Sequence, residues 1–133
     1  MYLRPVILVN EDLSEGVYAA SGSNTIMNTN SDWQITASLN PVEGNKNQYT
    51  LVVSGKHATV QGHFGIVRAT FTFSEPIISG YGRANTSVSG ATLISDTWSG
   101  NDPGKEFSYE LTVNGPEGLQ LVNADMQCRN AWN

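Results

Sequence analysis

Charge is scarce in this sequence. Lys, Arg, Asp and Glu make up 14% of its 133 residues, against about 25% in an ordinary soluble domain. Basic residues are scarcest, with seven Lys and Arg scattered singly against twelve Asp and Glu, for a net charge of −5. A chain without a basic stripe repels phosphate backbones, so nucleic acid is not an expected partner. No block of like charges is present to hold an anionic membrane surface. Cysteine is represented by Cys128 alone, which excludes an intrachain disulfide. Apolar runs fall far short of the roughly 18 residues of a membrane-spanning helix, so membrane insertion is not expected. Gly-x-Ser-x-Gly and His-Glu-x-x-His are both missing. No internal repeat is visible, which argues against a propeller or solenoid.

Ser, Thr, Asn and Gly supply the polarity that charge does not. That composition suits a protein working outside the cell, on an extracellular surface or a virion. The N-terminus, Met1 to Asn10, carries only four apolar residues after Pro5 before Glu11 and Asp12 follow. That run is too short for the apolar core of a signal peptide, so no classical signal is read here.

The most regular stretch is Ile66 to Ser74. Val67, Ala69, Phe71 and Phe73 fall on one side and Arg68, Thr70, Thr72 and Ser74 on the other. This is the period-2 signature of a half-buried strand, ended by Glu75-Pro76. Trp33 to Leu39, Gln48 to Ser54 and Glu106 to Val113 alternate in the same way. The first two predict a hairpin across a longish loop holding Asn40-Pro41 and Glu43-Gly44-Asn45. Thr86 to Ser89 and Ala91 to Trp98 are strands broken at Gly90. Leu119 to Cys128 changes face midway, which predicts a bulge near Val122 or Asn123.

Val6 to Val9 reads as a first strand or as a docking arm within residues 1 to 15, and Gly16 to Ala20 as a short strand. Ser21 to Asp32 reads as a loop, Ser79 to Arg83 as too glycine-rich for regular pairing, and residues 129 to 133 as a tail. About seven to nine short strands, with turns roughly every eight to twelve residues, predict one all-β domain over residues 1 to 133. The expected architecture is an antiparallel immunoglobulin-like β-sandwich without substantial helix; a closed barrel is the competing closure.

Candidate chemistry is thin. Cys128 with His57 or His63 has the elements of a thiol nucleophile and base, yet a lone cysteine on an apolar strand face is ordinarily packing. Asp96, Asp102, Glu106 and Glu110 include the residue type of glycoside hydrolysis. Glu106 and Glu110 nevertheless share the solvent side of one strand, where charge keeps a surface wet. His57 and His63 lack further zinc ligands at suitable spacing, and Asn101-Asp102 alone is ordinary turn chemistry rather than a calcium loop. No enzyme, metal or cofactor is therefore expected. Asn85-Thr86-Ser87 matches the N-glycosylation sequon, which in this context reads as chance.

The aromatic residues offer more. Trp33 opens a strand and is expected in the core. Trp98 ends a strand beside a polar turn, so it either plugs the end of the sandwich or stacks on a sugar ring with Asp96 and Asn101 as hydrogen-bond partners. Tyr81, between glycines, has the same two readings. Ile7, Leu8, Val9 and Trp132 are candidates for contacts with neighbouring subunits.

The alternating strands, Trp33, and the run Gly104-Lys105-Glu106-Phe107-Ser108-Tyr109 after a Pro-Gly turn resemble an immunoglobulin-like sandwich over roughly Trp33 to Cys128. At greater distance the chain is similar to sandwich-type bacterial carbohydrate-binding modules. Small immunoglobulin-like domains also decorate phage capsids and tails, and are made without signal peptides. The resemblance implies a non-enzymatic structural or adhesion protein of a surface assembly, with a virion decoration domain as its leading form. A secreted module that stacks sugars on exposed aromatics is the alternative. Its partners would be protein neighbours, including copies of itself, or a surface polysaccharide.

Overall fold

Alternation along residues 66 to 74 is realised as a strand with Val67, Ala69, Phe71 and Phe73 buried and Arg68, Thr70 and Thr72 only partly covered. The computed structural model describes residues 23–29, 33–57, 65–98 and 106–130. In chain order its strands are β1 (Asn24–Thr29), β2 (Trp33–Val42), β3 (Asn45–His57), β4 (Gly65–Phe73), β5 (Ser79–Gly82), β6 (Asn85–Ser89), β7 (Thr92–Trp98), β8 (Glu106–Asn114) and β9 (Leu121–Asn130). They form one five-stranded sheet, β1-β2-β3-β8-β5, and one four-stranded sheet, β6-β7-β4-β9. Every pairing is antiparallel. The chain crosses between sheets at every junction except β1–β2, β2–β3 and β6–β7.

The product is an all-β antiparallel sandwich. Ile35, Leu51 and Leu111 from one sheet and Val67, Phe71 and Leu93 from the other are almost wholly removed from water. Truncating a side chain such as Phe71 typically costs about 3–5 kcal/mol, so this layer dominates the stability. Trp33, expected in the core, packs against it from the rim and is only partly buried.

Several boundaries differ from the sequence expectations. The segment read as a loop, Ser21 to Asp32, contains β1, paired from Asn24 opposite Leu39 to Thr29 opposite Gln34. Its apolar content is too low to advertise a strand, because the positions facing inward are Asn24, Ile26 and Asn28. The asparagines are there to bond. Asn24 Nδ2 donates to the Leu121 carbonyl at 2.6 Å, and the Leu121 N–H donates to Asn24 Oδ1 at 3.1 Å. Asn28 Nδ2 donates to the Ala124 carbonyl at 2.9 Å. Side-chain amides of β1 thus satisfy part of the open edge of β9 and close one side of the sandwich.

Ser79 to Gly82, expected to be irregular, pairs with β8 as β5. Gly80 permits it: a Cβ there would lie 2.9 Å from the Leu93 side chain. The Thr86 hydroxyl donates to the Gly80 carbonyl at 2.7 Å and ties β5 to β6 on the other side. The β2–β3 connection is short, since β2 continues through Pro41-Val42 and turns at Glu43-Gly44, with Gly44 at φ +84°. The expected bulge is present. Thr72 pairs with Asn123 and Phe73 with Leu121, so Val122 is the extra residue, and Leu121, Ala124 and Met126 all stay buried. β9 runs on through Arg129 and Asn130, which were expected to belong to the tail. Ile7, Leu8 and Val9, the Gly16 to Ala20 stretch and Trp132 lie outside the described residues.

Buried Tyr49 fixes the β8–β9 turn. Its hydroxyl donates to the Pro116 carbonyl at 2.7 Å and accepts the Leu119 N–H at 3.1 Å. Tyr49→Phe strands both groups and should lower unfolding free energy by about 1–3 kcal/mol in urea titration. An unchanged midpoint would show that the turn is held by packing alone.

Candidate functional site

Alternation on the inner face obliges the other residues of each strand to face outward, and antiparallel pairing aligns them into rows. On the outer side of the five-stranded sheet one row is Gln34, Lys56 and Glu106, and the next is Thr36, Ser54 and Ser108. These six side chains, with Gly55 and Phe107, line an open groove of about 380 Å³. Within the described residues no hydrogen bond or ion pair engages any of the six side chains. Elsewhere on the molecule comparable groups are occupied: Thr25 bonds Ser38 at 2.7 Å, and Gln48 bonds Asn114 at 3.3 Å.

Farther along the same face comes the row Asn40, Thr50, Thr112 and Tyr81. Tyr81 is 52% exposed, so its ring lies largely in solvent on this face. Met27 and Val52 are exposed on this face too, opposite Thr36 and Ser38 respectively.

Asp96 stands on the other sheet. Arg68 grips it with two hydrogen bonds, Nε to Oδ1 at 2.8 Å and Nη2 to Oδ2 at 2.9 Å. The hydrogen bond and charge of Asp96 make the Arg68 guanidinium hold its proton more firmly than usual. Gln127, Arg68, Asp96 and Asn85 form one row across the outer side of the four-stranded sheet. Tyr81 and Asp96 therefore face away from each other on opposite layers and are not brought together. Trp98 is described only through its backbone, as the last residue of β7 opposite Ile66. Asn101 lies outside the described residues.

Glu106 and Glu110 are both exposed, as expected of solvent-side carboxylates. Among the described residues no group of three or more His, Cys, Asp or Glu is placed to hold a metal ion. No helix there is long and apolar enough to cross a membrane.

In the middle of the sandwich the Ser95 and Tyr109 hydroxyls meet between the sheets at 2.8 Å. Burial chiefly, helped by the Asp96 charge and opposed by the Ser95 hydrogen bond, pushes the Tyr109 phenol up to about 12. No protein-family model matches the chain, and no curated protein matches it.

The raised phenol makes stability depend on alkaline pH in a defined sense. The unfolded chain loses this proton near 10 and the folded chain near 12, so the folded state binds it more tightly. The contribution is complete below about pH 10 and is lost as pH rises to about 12. Its size is roughly 3 kcal/mol. Urea unfolding across this window should show that decline, and Tyr109→Phe should flatten it while lowering stability at neutral pH. Equal slopes for the two proteins would place the alkaline sensitivity elsewhere.

Proposed function

We propose that this chain is a non-enzymatic structural and adhesion protein of a surface assembly, with decoration of a virion capsid or tail as its setting. The observation that carries the reading is the outer face of the five-stranded sheet. It presents hydroxyl and amide rows of low charge, interrupted by exposed Met27, Val52 and Tyr81. Such a face suits contact, since it combines apolar side chains to bury with polar groups that bond in either direction. The polar groups inside and along the sides serve structure: Asn24 and Asn28 clasp β9, Ser95 meets Tyr109, and Asp96 is held by Arg68. A virion or extracellular location agrees with the Ser-, Thr- and Asn-rich composition.

A free carbohydrate-binding module is the second reading. The exposure of Tyr81 beside Thr112 favours it, because a displayed aromatic ring stacks on a sugar. Trp98 and Asn101 keep their proposed sugar contacts only in that reading.

Assembly is tested by the solution mass of the full chain beside a version without residues 1 to 12. The expected result is a defined oligomer or polymer for the full chain and a folded monomer for the shortened one, with Ile7, Leu8 and Val9 as the contact. Two monomers of equal stability, and absence of the protein from particles made by its host, would remove the structural reading.

A further inference from the structure

The groove on the outer side of β2, β3 and β8 has a composition that selects its ligand. Its central strand, β3, is paired with β2 on one side and β8 on the other, so its backbone groups are committed. An incoming peptide cannot add as a strand there, because that mode needs a free edge. Recognition has to come from side chains. The available groups are the hydroxyls of Thr36, Ser54 and Ser108, the amide of Gln34, one cation and one anion. Hydroxyls and the amide both donate and accept, which matches a ligand dense in hydroxyl groups. Lys56 and Glu106 are register partners, so their charges offset across the groove, and the chain's net charge of −5 disfavours anions. An apolar ligand would cover these polar groups without bonding them, at a cost in free energy. The volume, about 380 Å³, lies within the range of small-ligand sites.

We infer that this groove binds a neutral saccharide, held by Gln34, Thr36, Ser54 and Ser108 with Lys56 and Glu106 at one end. The inference rests on the adhesion reading above and supplies the class of surface it grips. It differs from the aromatic-stacking site in using hydroxyl rows on the five-stranded sheet, with neither Trp98 nor Asp96.

The test is the full-length protein on an array of neutral and acidic glycans, followed by calorimetry with a soluble neutral oligosaccharide chosen from the array. Binding to neutral glycans is expected, insensitive to added salt. Gln34→Ala and Ser54→Leu should each weaken it by about tenfold or more, through a lost hydrogen bond and a filled groove. Ser87→Leu, exposed on the outer side of the other sheet, should bind as the parent does. Each variant is compared only where its urea midpoint matches the parent's. A flat array, binding that survives Ser54→Leu, or capture of acidic glycans that salt abolishes would each overturn the assignment. Failure here is separable from failure of the assembly reading: a flat array with an oligomeric, particle-bound protein removes only the groove. Neutral-glycan binding by a monomer that joins no particle removes only the assembly.

Discussion

Everything in this fold depends on the mutual burial of two alternating apolar faces. Cys128 has no cysteine partner in the sequence, so no intrachain disulfide shares that task. Phe71, Leu93, Ile35, Leu51 and Leu111 are therefore fully committed to the interior, and their neighbours in sequence are forced outward. The period of two does more than make a core. It prints two outer faces whose chemistry is free to vary, because nothing inside constrains them.

A sandwich must also close at its sides, where edge strands leave backbone groups unpaired. Here the closure is made by side chains of unusual economy. Asn24 reproduces the donor and acceptor of a peptide unit and presents both to Leu121, while Asn28 does half as much for Ala124. On the opposite side one threonine hydroxyl, Thr86, reaches the Gly80 carbonyl. Tyr49 holds the β8–β9 turn, and Ser95 with Tyr109 pins the sheets through their middle. These groups explain a core boundary built from amides and hydroxyls rather than ion pairs, in a chain that is poor in charge.

The strands legible in the sequence are those with apolar residues at every inward position, such as β4 and β8. Even the bulge could be read, since Leu121 and Ala124 can share one face only if an extra residue intervenes. β1 was hidden because two of its three inward residues are asparagines that bond instead of packing. β5 was hidden because its two glycines look like a break, when Gly80 is there to admit Leu93. The groove was not legible at all. Its residues occur as pairs, 34 and 36, 54 and 56, 106 and 108, and only the registers of β2, β3 and β8 bring them side by side. The signal available in sequence was that three alternating strands each carry small polar or charged residues at these outward positions. Alternation locates a face but does not say which faces adjoin, which is why Tyr81 and Asp96, fifteen residues apart by their numbers, proved to stand on opposite layers.

The two outer faces differ in a way that bears on use. On the four-stranded sheet the strongest polar groups are already spent, with Arg68 and Asp96 locked in a two-point contact between β4 and β7. A ligand arriving there would have to compete with a charge-assisted pair. On the five-stranded sheet the groove's polar groups have no internal partner within the described residues, so water is what a ligand would displace. Replacing ordered water by hydroxyls that reproduce its hydrogen bonds loses little, whereas replacing it by an apolar or a charged surface loses a good deal. Low charge has a further consequence under the proposed reading. It leaves a contact surface on which many weak, neutral hydrogen bonds must act together, and repeated display of the domain on an assembly would multiply them into useful avidity. Under the proposed reading adhesion and assembly are complementary: a single site that binds weakly would gain from repetition.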